Sequence, residues 1–63
     1  MEKIRLNAEV LKTGDRPEAW TVEAIDDKGG DVYSAYFVGP RARERAEEYA
    51  AEKFTEHRVS VAA

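Results

Sequence analysis

Sixty-three residues allow a single domain, 1–63, with a thin core, because a chain of this size buries only about 60% of the surface its unfolded form exposes. There is no cysteine, which excludes disulfides and thiolate zinc sites, and a composition 43% hydrophobic and 37% charged is too apolar for disorder. The net charge of −3 lies wholly in residues 1–38, with five basic and eight acidic side chains, while residues 39–63 carry five of each; a general phosphate-binding surface should instead be basic.

Acids and bases interrupt the apolar residues from Met1 to Val10, so this stretch predicts neither a signal peptide nor a membrane span. Together with the lack of cysteine, this points to a cytoplasmic protein. Residues 3–12 alternate, with Ile4, Leu6, Ala8 and Val10 on one side and Lys3, Arg5, Asn7 and Glu9 on the other. That period of two predicts a strand with one buried face. Residues 13–18, Thr-Gly-Asp-Arg-Pro-Glu, predict a loop.

A second strand is expected over Ala19 to Ile25, with Trp20, Val22 and Ala24 facing one way and Thr21, Glu23 and Ile25 the other. The run from Asp26 to Asp31 contains Gly29 and Gly30, and glycine supplies the positive φ that a tight reversal needs. Val32 to Val38 then completes a hairpin, with Tyr33, Ala35 and Phe37 sharing one face and Val32, Ser34, Tyr36 and Val38 the other.

Gly39-Pro40 is expected to open a helix running to about Glu56, with Pro40 at its first position. Ala42, Ala46, Tyr49, Ala50 and Phe54 fall on one stripe that should face the sheet. No glycine stops this helix. Val59-Ser60-Val61 alternates again, which predicts either a short fourth strand or a frayed tail, the strand being preferred. The expected fold is α+β: a three-stranded antiparallel meander packed on one C-terminal helix.

Catalytic chemistry has little to work with. The single histidine, His57, falls at the expected helix end, where an imidazole suits the negative terminus. Ser34 and Ser60 lie in no nucleophile elbow. Asp26, Asp27 and Asp31 suggest a calcium loop, but position 28 is lysine and no glutamate closes the loop at the required spacing. Neither a metal nor a cofactor is expected, and no enzyme.

Two surfaces could bind a partner. Glu44, Glu48, Glu52 and Glu56 repeat every fourth residue and make an acidic ridge, flanked by Arg41 and Arg45. Like charges at that spacing disfavour the helix; the ridge could imitate a nucleic-acid backbone. The second surface is the sheet face turned away from the helix, where Ile25, Val32, Tyr36 and Val38 would form an apolar strip with Thr21 and Glu23 mixed in. A second copy packing there, as a homodimer, would help a domain this small to be stable.

The run from Trp20 to Phe37, followed by an alanine-rich helix containing Tyr49, resembles the plant-type AP2 and integrase arm-binding domains over about residues 19–54. Trp20, Glu23, Ile25, Val32, Phe37 and Tyr49 carry that resemblance. It implies a three-stranded sheet backed by one helix, and DNA binding through arginines and tryptophans on the open sheet face. In this chain that face would offer Thr21, Glu23, Ser34 and Tyr36, with Arg5 its only arginine. The same stretch looks like the last part of a double-stranded-RNA-binding domain, with Gly39-Pro40-Arg41-Ala42-Arg43 in place of the basic helix start. The segment from Gly39 to Phe54 is also similar to small phage and mobile-element proteins, a likeness that implies an inhibitor of host machinery such as an anti-CRISPR protein. The expectation is a small protein-binding module, with direct nucleic-acid binding as the alternative.

Overall fold

In a computed structural model of the chain, residues 2–14 and 18–60 are described. They form β1 (Ile4–Lys12), β2 (Ala19–Ile25), β3 (Val32–Val38), α1 (Ala42–Lys53) and β4 (Phe54–Ser60). The strands make one sheet in the order β3-β2-β1-β4. β1 pairs antiparallel with β2, β2 antiparallel with β3, and β4 parallel with β1. No helix among the described residues is long and apolar enough to cross a membrane.

The alternating segments form the strands their pattern predicts, and β2 and β3 have the expected bounds. Asp15, Arg16 and Pro17 of the first loop lie outside the described residues, but its two ends meet where the Thr13 amide donates to the Ala19 carbonyl at 2.8 Å. At the second turn, the Asp26 carboxylate accepts from the amides of Lys28 and Gly29, both at 3.1 Å, and Gly30 takes a φ of +76°. These aspartates therefore include one whose side chain organises the turn itself.

Two expectations need correction. The sheet is a mixed four-stranded one, so the three-stranded meander is only part of it and the helix is not C-terminal. The helix is also shorter at both ends than expected. Pro40 precedes the N-cap residue Arg41, outside the first helical turn, and the helix ends at Lys53 without glycine. There the backbone turns extended at Phe54 (φ −118°, ψ 155°), whose amide still bonds the Ala50 carbonyl. Phe54 is at once the helix cap and the first residue of β4. Glu56 and His57 consequently lie in a strand. Val59 and Ser60 are in the fourth strand, as preferred from their alternation, while Val61 lies outside the described residues.

Joining β3 to β4 requires a long crossover, since the two run in the same direction at opposite edges of the sheet. α1 supplies it and lies across one face. Ala42, Ala46 and Ala50 are buried there, and their small side chains bring the helix close to Ala8, Val10, Trp20, Val22 and Ala24. Phe54, almost wholly buried, meets Tyr33 and Tyr49 edge-on, with ring centroids 5.9 and 6.5 Å away. Two cations bridge helix and sheet, Arg43 over Trp20 and Arg45 over Phe37 at 5.3 and 5.8 Å from the ring centroids, while Lys53 lies over Tyr49 of the same helix at 5.3 Å. In each case the charged group itself lies over the ring, an attraction of about 0.5–1 kcal/mol at an exposed site.

Candidate protein-binding site

One helix covers one face of the sheet, so the opposite face is open. Cross-strand register assembles it in rows. Ser34, Glu23, Glu9 and Arg58 make one row across all four strands. Tyr36, Thr21, Leu11 and Ser60 make the next. Towards the second turn Val32 stands opposite Ile25, and at the other end Val38 stands opposite Ala19.

The large exposed apolar residues gather towards one side of this face, with Glu23 and Thr21 set among them. Ile25, Val32, Tyr36 and Val38 are 61%, 68%, 58% and 43% exposed and lie along the β2–β3 side. Exposed apolar side chains of this size, gathered on one side of a small domain, form the patch expected of an interface. Thr21 lies beside Tyr36 and shares a short hydroxyl–hydroxyl bond with Thr13. The charged side is built on β1 and β4. There Glu9 forms an ion pair with the Arg58 guanidinium at 3.5 Å and accepts a hydrogen bond from the Ser60 hydroxyl at 3.4 Å. A shallow depression of about 230 Å³ lined by Asn7, Glu9, Glu23, Ala24, Ile25 and Asp27 lies between β1 and β2 at the end near the second turn.

Arg58 is the residue that sequence reasoning missed. The expected open face held Arg5 as its only arginine, whereas the parallel pairing of β4 brings Arg58 opposite Glu9. No local signal reveals this, because the two residues are distant in the chain and belong to strands joined only through register. The arginine is answered by a carboxylate, and Glu23 stands directly beside that carboxylate.

The acidic ridge is shorter than its spacing implies. Glu44, Glu48 and Glu52 are exposed on α1, whereas Glu56 lies on β4 opposite Asn7. Arg41 binds Glu44 at 2.7 Å, and that hydrogen bond, with the charge of the carboxylate, raises the Arg41 pKa above its ordinary value. Arg43 binds Glu47 at 3.0 Å, and Arg45 lies over Phe37 on the sheet side. Arg41 and Arg43 thus serve different neighbours and do not converge on one phosphate.

His57 is exposed on β4 opposite Ala8. Among the described residues no group of three or more His, Asp or Glu side chains is placed to hold a metal ion. A second groove, between the start of β1 and the end of α1, is lined by Ile4, Tyr49, Ala51, Glu52 and Lys53 among others and is broadly open. No family model matches the chain, and neither a curated protein nor a solved structure matches it.

Proposed function

We propose that this protein is a small non-catalytic protein-binding module that contacts its partner through the β2–β3 side of the open sheet face. The observation that carries this reading is the exposure of Ile25, Val32, Tyr36 and Val38 as one patch on a face that α1 does not cover. In its most concrete form, the module is a phage or mobile-element inhibitor, of the anti-CRISPR kind, acting on a host nucleic-acid-handling protein. Glu44, Glu48 and Glu52 then supply a second, acidic contact suited to a basic groove on that partner.

The test is capture of nucleic-acid-handling proteins by the purified chain, comparing wild type with Ile25→Ser/Tyr36→Ser and with Glu48→Gln/Glu52→Gln. Both sets of positions are exposed, so the fold should be retained. Loss of capture in the first variant supports the sheet face; equal capture by wild type and both variants rejects both surfaces.

The alternative is direct nucleic-acid binding through the sheet and helix. Glu9 and Glu23 at the centre of the open face oppose it, since phosphates would meet carboxylates. A salt titration against mixed duplex DNA and RNA separates the readings. Binding that weakens steeply with salt favours the alternative, whereas none at low salt removes it.

A further inference from the structure

We propose that two copies of this chain associate through the free edge of β3, antiparallel about a two-fold axis at Ala35, to continue one sheet across both. The inference rests on the backbone of β3 and stands independently of the partner reading above.

The sheet has two edges, and they differ in kind. β4, at one edge, carries Glu56, His57 and Arg58 in its middle, and its pairing with β1 shifts register between Ile4 and Asn7. Charges and irregular pairing are how proteins keep an edge strand from recruiting another. β3, at the other edge, reads Val-Tyr-Ser-Ala-Tyr-Phe-Val. It has no charge, proline or glycine, and its residue types are strongly strand-forming.

The phase of the β2–β3 ladder shows which backbone groups are free. The Asp26 amide donates to the Asp31 carbonyl at 2.8 Å, and at the other end the Gly39 amide donates to the Glu18 carbonyl at 3.1 Å. In an antiparallel ladder alternate residues turn their N–H and C=O groups to the neighbouring strand. Both end bonds set the same phase, in which Tyr33, Ala35 and Phe37 bond to β2. Val32, Ser34, Tyr36 and Val38 therefore direct theirs outward, away from the sheet.

A two-fold axis at Ala35 matches all of these outward groups. Val32 meets Val38 of the second copy and Ser34 meets Tyr36, giving roughly eight new backbone hydrogen bonds. On the helix side, Ala35 faces its own counterpart, a residue small enough for the two sides to approach, and Tyr33 meets Phe37. Charge favours the same arrangement. The turn bearing Asp26, Asp27 and Asp31 comes to the end of the second copy's β3 where Arg45 lies over Phe37, twice in the dimer. Arg41 at the same end is already paired with Glu44, so Arg45 carries this attraction. A parallel alignment would instead bring acidic turn against acidic turn. The junction is narrow, and an interface at the low end of the usual size range implies a reversible, concentration-dependent dimer.

Sedimentation equilibrium of the purified full chain over a range of concentrations tests the proposal, with circular dichroism as the check on folding. Wild type is expected to show reversible dimerisation. Ser34→Pro removes one outward N–H without touching a bond to β2, and should weaken the dimer by roughly tenfold or more. Should that variant fail to fold, a pair of charge variants gives the same answer. Ser34→Lys/Tyr36→Lys sets ammonium groups opposite each other and should be monomeric, whereas Ser34→Lys/Tyr36→Glu sets opposite charges together and should dimerise in a salt-sensitive way. Ile25→Ser alters the open face but not the edge and should leave the dimer unchanged. A chain that stays monomeric throughout overturns the proposal. So does a dimer indifferent to the edge variants, or one lost on Ile25→Ser, which would indicate packing of face on face.

Discussion

Glu9 of β1 and Glu23 of β2 are direct cross-strand partners at the centre of the open face. Two carboxylates so placed repel each other, and the neighbouring strands answer only one of them: Arg58 and Ser60 approach Glu9, while Glu23 has Ser34 opposite it on β3. Replacing Glu23 with glutamine is expected to stabilise the fold by about 0.2–1 kcal/mol at low salt. The gain should shrink as salt screens the pair. Arg58→Ala should act in the opposite direction by at most about 1 kcal/mol, since this ion pair is exposed. Urea unfolding of both variants at low and high salt checks the signs.

Phe54 joins the end of the helix to the start of β4 and is buried against Tyr33 and Tyr49. Truncation to alanine should cost about 3–5 kcal/mol. A domain of this size holds only a few kcal/mol of stability in total. Phe54→Ala is therefore expected to be largely unfolded at room temperature, whereas Phe54→Leu keeps most of the volume and should fold with a lowered Tm. Thermal melts followed by circular dichroism distinguish the two.

Ala46 is fully buried between the helix and the sheet, flanked along the helix by Ala42 and Ala50. The close approach of α1 depends on these small side chains. Ala46→Leu adds carbon atoms where no space exists and should destabilise by about 1–3 kcal/mol, although leucine is an excellent helix former. The same substitution at Ala51, half-buried on another side of the helix, should cost less. Chemical unfolding of the two variants compares packing with propensity directly.

Gly39 takes a φ of +121°, between the end of β3 and the N-cap of α1. A side chain rarely adopts that backbone conformation, and nothing lies within 4 Å of where a Cβ would be. The effect of Gly39→Ala is therefore conformational rather than steric, with an expected cost of about 1–3 kcal/mol. A measured loss well below 1 kcal/mol would show that the β3–α1 junction can relax into another geometry.

Local pattern carried most of the sheet. Apolar and polar residues alternate through most of β1 and β2, and the turn from Asp26 to Asp31 sets β3 as the second arm of a hairpin. The strands, their inner faces and the exposure of Ile25, Val32, Tyr36 and Val38 were therefore legible from neighbouring residues. β4 was not legible beyond its last residues. Phe54 and Val59 both join the core although an odd number of positions separates them, which breaks the period of two, and Thr55 to Arg58 are all exposed. The glutamates of the helix also continue to Glu56 at helical spacing, so the pattern ran past the true end at Lys53.

By itself, then, the sequence determined a small α+β domain with one covered and one open sheet face, because strand and helix periods are properties of neighbouring residues. Tertiary structure alone decided that β4 lies parallel to β1, that the helix stops at Phe54, and that Arg58 and Ser60 reach Glu9. It also decided that β1, an edge of the expected meander, is a central strand, with β4 as the second edge. These features depend on pairing between segments far apart in the chain, where the burial of Phe54 and the backbone bonds of a fourth strand outweigh a local preference for more helix.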